Sequence, residues 1–87
     1  MNILTIENAE KIKLAVQIEP WAEVFYLRKG DTLKLHQPEG LHGYYHVKVW
    51  RDADIQLFVD GEYDYPEVFI NDQPAEPWND FKPDESE

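Results

Sequence analysis

Apolar and polar residues alternate along most of this chain. In the run from Ile12 to Glu19, the side chains of Ile12, Leu14, Val16 and Ile18 share one face, opposite Lys13, Gln17 and Glu19. A period of two marks a half-buried β-strand. Pro20 ends it, because proline cannot donate to a ladder. Residues 22–28 (AEVFYLR) are rich in β-branched and aromatic types and read as the next strand. Lys29-Gly30-Asp31 supplies a turn in which Gly30 takes φ > 0 at little cost. Residues 32–36 alternate again, so these two segments are expected to form a hairpin.

Residues 37–43 (QPEGLHG) form a loop, and residues 44–51 place Tyr45, Val47 and Val49 opposite Tyr44, His46, Lys48 and Trp50. Asp52-Ala53-Asp54 turns the chain into residues 55–59, with Ile55, Leu57 and Val59 inward. Asp60-Gly61 is a strong hairpin dipeptide. A tight turn there would set Asp64 across from Leu57 and Glu62 across from Val59, placing acids on the core face. A loop over 60–66 and a short strand over 67–70 is therefore preferred. Asn71-Asp72 is a turn, and no segment sustains a helical period; residues 8–11 offer one helical turn at most.

With residues 2–7, this makes about seven short strands and predicts an all-β fold, a small antiparallel β-sandwich over residues 1–72. Residues 73–87, with three prolines and many acids, are expected to be a poorly ordered acidic tail. The predicted core is Leu14, Val16, Ile18, Leu33, Leu35, Val47, Val49, Ile55 and Leu57.

Composition is consistent with one small domain. An 87-residue chain supports a single core, and twelve aromatic residues can fill it. With no cysteine, neither disulfides nor thiolate metal sites are available. Residues 1–5 lack the basic and apolar regions of a signal peptide, and no run approaches the roughly 18 apolar residues of a membrane span. A soluble cytoplasmic protein is the expectation. The net charge of −10 is uneven: residues 1–43 carry six acids against five bases, and residues 44–87 carry twelve against three. Such a field repels nucleic acid and anionic lipid and attracts basic proteins or cations, the alternative being that the acidity only keeps a small protein soluble.

Glu19-Pro20-Trp21-Ala22-Glu23-Val24-Phe25 has an echo in Glu76-Pro77-Trp78-Asn79-Asp80-Phe81. In both copies the proline is expected to set a bend and the tryptophan, Trp21 or Trp78, to close one end of the core, as large aromatics do in small domains. In the second, Trp78 and Phe81 read as anchors of a short binding segment, or of a tail docked on its own domain. The run over residues 18–35, Glu-Pro-Trp-x-Glu followed by an aromatic-aliphatic strand and Gly-Asp, resembles small bacterial β-sandwich proteins of unassigned function. That resemblance implies the fold and no activity. The same run is similar to a cupin's central strand and turn, but the His-x-His and downstream Glu of a cupin are missing.

Three histidines, His36, His42 and His46, lie close together with Glu39 between them; if their rings converge they are weak metal candidates. Asp52, Asp54, Asp60, Glu62 and Asp64 offer oxygen ligands without an EF-hand order. Ser86 is the only serine, and no nucleophile, phosphate loop or enclosed acid pair is recognisable, so no enzyme and no cofactor are expected. The expectation is a non-enzymatic interaction domain, an inhibitor or immunity-type protein that masks a basic partner. Its contacts would come from Asp60, Glu62, Tyr63, Asp64, Tyr65, Trp78 and Phe81. The alternatives are a metal- or ligand-binding β module around the histidines, and a structural subunit that assembles through an exposed strand edge.

Overall fold

Alternation becomes burial most completely in the strand after the first loop. In the computed structural model, which describes residues 2–79, Leu14, Val16 and Ile18 are all buried while Lys13, Ala15 and Gln17 face outward. The strands are β1 (Asn2–Glu7), β2 (Lys13–Glu19), β3 (Glu23–Arg28), β4 (Thr32–Gln37), β5 (Gly43–Val49), β6 (Ile55–Gly61), β7 (Glu67–Ile70) and the two-residue β8 (Gln73–Pro74). They form two four-stranded sheets, β1-β4-β7-β8 and β3-β2-β6-β5. Pairing is antiparallel except between β2 and β6, which run parallel with Ile18 beside Leu57. The all-β sandwich is thus present, and β8 is an eighth strand.

The core lies between the sheets. Leu14, Val16 and Ile18 meet Phe25 and Leu27 of β3 and Leu57 of β6, facing Leu33 and Leu35 of β4 and Val68 of β7. Each such side chain contributes about 1.5–3 kcal/mol on burial. Ile55 packs against this cluster while only partly buried. Val47 and Val49, expected in the core, are instead exposed at 47 % and 65 %. Their register is right, because Val47 pairs with Leu57 and Val49 with Ile55. The opposite sheet does not cover β5 at Val47 and Val49, so that stretch of its inward face stays wet, while Tyr45 packs against the core. Ile12 lies outside β2 and is exposed.

Connections differ from the local reading in one place that decides the topology. The hairpin joins β2 to β3 through residues 19–22, with Ile18 opposite Glu23 and Ala22 at φ 56°. Lys29-Gly30-Asp31 then carries the chain from one sheet to the other, so β3 and β4 do not pair. Gly30 does take φ 90°, but its N–H donates to Asn8 O across the crossover. Phe25 and Leu27 of β3 point into the core beside Val16 and Leu14 of β2.

Asn8 pins this end. Its side-chain amide donates to Lys11 O at 2.8 Å and Leu27 O at 2.9 Å, and its Oδ1 accepts from Lys11 N at 3.0 Å. Its backbone N–H donates to Asp31 O. No helical turn forms over residues 8–11.

The preference for a loop after β6 rather than a tight hairpin holds: β6 runs on to Gly61, and β7 pairs with β4. The tight turn falls at Asn71-Asp72 instead, at φ 52° and 65°, between β7 and β8. Positive φ at both central residues is the type I′ geometry that suits hairpin twist. Beyond β8 the chain stays on the sandwich. Trp78 N–H donates to Val24 O at 2.6 Å, and the Asn79 amide brackets Tyr26, accepting from its N–H at 2.8 Å and donating to its C=O at 3.0 Å. Residues 73–75 therefore pair with β7 and residues 78 and 79 cover the free edge of β3, rather than trailing from the domain.

Candidate functional site

The end of the sandwich where β2 and β6 finish, and where β3, β5 and β7 begin, concentrates negative charge. Glu19 and Glu23 flank the β2–β3 turn, Glu39 lies in the β4–β5 loop, and Asp60, Glu62, Asp64 and Glu67 follow β6 into β7. Glu76 joins them, near enough to Tyr65 to act on its phenol. Among the described residues no lysine or arginine lies at this end. Lys11, Lys13, Arg28, Lys29, Lys34, Lys48 and Arg51 all sit at or toward the other end, with Glu7, Glu10, Asp31, Asp52, Asp54 and Asp72. Two of those bases are neutralised there: Lys11 Nζ meets Asp54 Oδ1 at 2.5 Å and Lys34 Nζ meets Asp72 Oδ1 at 3.1 Å. The molecule is dipolar along its strands.

Aromatic rings stand among these carboxylates. The loop over 62–66 is held by the buried side chain of Gln37, whose Nε2 donates to Asp64 O at 2.5 Å. Asp64 Oδ1 accepts from Tyr65 N at 2.7 Å and fixes the turn. Glu62 Oε1 accepts from His42 N at 2.7 Å, tying this loop to the one before β5. Tyr65 meets Trp21 edge to face at 5.0 Å and donates its hydroxyl to Glu23. Burial raises the Tyr65 phenol well above the ordinary tyrosine value, and the Glu23 carboxylate, as hydrogen-bond acceptor and negative charge, raises it further, with Glu76 adding to it. Trp21 and Tyr65 keep more than a third of their surface in water. Trp78 is 59 % exposed despite its docked backbone. Neither tryptophan closes the core.

Tyr63 plays a different part. Its ring packs on Tyr45 at 5.2 Å and lies over Gly43, where any Cβ would collide with it. It is a packing residue first. Glu19 is likewise engaged, accepting from the amides of Gln17 and Gln56 at 2.6 Å each. The predicted contact residues Asp60, Glu62, Tyr63, Asp64 and Tyr65 do share this end. Phe81 lies outside the described residues. Trp21, Glu23, Glu39, Glu67 and Glu76 belong to the same end but come from separate segments, and no spacing in the chain announces that.

The metal readings lose their geometric basis. His36 is on β4, its ring 4.7 Å from Phe69, whereas His46 is on β5 in the other sheet, edge-on to Phe58. His42 lies in the loop between. Asp52 and Asp54 sit at the opposite end of β6 from Asp60, Glu62 and Asp64. No cluster of three or more metal-ligating side chains occurs among the described residues.

No protein-family model, curated protein or solved structure matches this chain.

Proposed function

We propose that this protein is a non-enzymatic interaction domain that captures a basic protein partner on its acidic end. The carrying observation is the charge segregation: eight carboxylates from four segments at one end, with every described lysine and arginine toward the other. Carboxylates fixed at one end of a rigid sandwich steer a basic surface into one orientation and speed its encounter. Exposed Trp21, Tyr65 and Trp78 then offer desolvated contact and faces on which arginine or lysine side chains can lie.

The test is capture from the native host by the immobilised full chain, in low and then moderate salt, beside the triple variant Asp60→Asn, Glu62→Gln, Asp64→Asn. Basic proteins are expected on the wild type, fewer as salt rises, and fewer on the variant. Recovery of no basic protein, or capture indifferent to both salt and the triple substitution, overturns the reading.

A further inference from the structure

Each sheet has two edges, and the four are treated unequally. The β8 edge is two residues long and contains Pro74, which cannot donate. The β3 edge is covered by Trp78 and Asn79. That leaves β1 and β5 as the sheet edges with no strand paired on their outer side among the described residues. Among these, β5 is the longer, at seven residues, and has no proline or bulge in its ladder with β6. An exposed, regular, apolar edge is what soluble proteins ordinarily avoid unless something pairs with it.

The side chains and the backbone of β5 point to the same positions. Trp50 N–H donates to Asp54 O, and His42 C=O accepts from Glu62 N–H, so the even-numbered residues turn their backbone groups toward β6. By alternation, Gly43, Tyr45, Val47 and Val49 direct theirs outward, away from the sheet. Val47 and Val49 also carry the apolar side chains left uncovered on the inward face. Trp50 at the strand's end is 54 % exposed.

We propose that two copies of this chain associate through β5, antiparallel about a two-fold axis, and merge their β3-β2-β6-β5 sheets into one of eight strands. A two-fold axis lets the same edge serve both copies. Pairing odd residues with odd residues uses every outward backbone group and sets the valines against Val47, Val49 or Tyr45 of the second copy. Charge selects this occupant and direction. Antiparallel pairing holds the two acidic ends apart and brings each beside Lys48 and Arg51 of the other copy, whereas parallel pairing would stack acid on acid. This surface is separate from the acidic end and does not depend on the function proposed for it.

Sedimentation equilibrium of the full chain over a concentration series tests this, with Val47→Lys and Val49→Lys as variants. The wild type is expected to reach the dimer mass. Each variant should raise the dissociation constant about tenfold or more, a change of about 1.4 kcal/mol, since it places like charges near the axis. Thermal melts at low concentration should show both variants folded, because the native valines are already in water. In the dimer, the amides of Tyr45, Val47 and Val49 should gain hydrogen-exchange protection. A wild type that stays monomeric at every concentration, or a dimer unmoved by both lysines and without that protection, overturns the proposal.

Discussion

Asn8 is the residue through which the two crossovers between sheets hold each other, and Asn8→Ala should show it. The side chain is almost fully buried and makes three hydrogen bonds, two donated and one accepted. A typical intramolecular hydrogen bond is worth about 0.5–1.5 kcal/mol net, and a buried group left without a partner costs more than the bond alone. Lys11 is half-buried, so water can replace part of its loss; Leu27 is buried, so water does not replace the bond to its carbonyl. The expected cost is about 2–3 kcal/mol, a large share of the roughly 4–13 kcal/mol usual for a chain this long. Asn8→Asp preserves the acceptor but points a carboxylate at two carbonyls. Its folded-state pKa would therefore rise above the unfolded value. Stability held by the protonated form is present below the unfolded pKa and lost as pH rises through the folded one, so the deficit of Asn8→Asp should widen from about pH 4 to pH 7. Urea unfolding followed by tryptophan fluorescence reads both variants. If Asn8→Ala falls within about 0.5 kcal/mol of the wild type, or Asn8→Asp shows no pH dependence beyond it, the pin is not what joins the crossovers.

Leu57→Ala should cost about 2–5 kcal/mol in the same assay, while Val47→Ala, one strand away in the same register, should stay within about 0.5 kcal/mol in the monomer. Equal costs would mean that the second sheet does cover β5. Gly30→Ala places a Cβ in open space at φ 90°, so only backbone strain opposes it, and a loss of about 1 kcal/mol is expected. Ala53→Gly should do the reverse, relieving φ 68° and raising the melting temperature by a few degrees; a lower melting temperature would contradict it. In an alkaline titration followed at the phenolate band, Tyr45, raised by burial, and Tyr65 should ionise after the other tyrosines, and Tyr65→Phe should remove the later part of that step. The raised Tyr65 phenol stabilises the fold below the ordinary tyrosine pKa of about 10, and this is lost as pH climbs through the folded value.

The strands were legible because alternation is a local consequence of having one wet and one dry face. Leu14, Val16, Ile18, Leu33, Leu35 and Leu57 declare their faces within their own segments, and each is buried. Turn chemistry was equally local: Gly30 and the pair Asn71-Asp72 take the positive φ that their residue types tolerate. Rejection of a tight turn at Asp60-Gly61 also needed only the chain, since it would have put Asp64 and Glu62 on a core face.

What the chain could not show by itself is which strand meets which, and what covers each face. Lys29-Gly30-Asp31 reverses direction equally well within a sheet or between sheets, and only the pairing of β3 with β2 and of β4 with β1 and β7 shows the crossover. Val47 and Val49 alternate as faithfully as Val16 and Ile18 do. Their exposure follows from the position of β5 at an edge that the other sheet does not cover at Val47 and Val49. The acidic end has the same origin. Counted along the chain, the excess charge divides into a nearly neutral half and an acidic half; in the folded molecule it divides between the two ends of the strands. Glu19, Glu23, Glu39, Glu67 and Glu76 reach that end with Asp60, Glu62 and Asp64 because β2 and β6 run parallel and β3, β5 and β7 start where they stop. Hydrophobic alternation is set within a few residues, but strand pairing, cover and charge at an end are set by contacts between residues far apart in the chain.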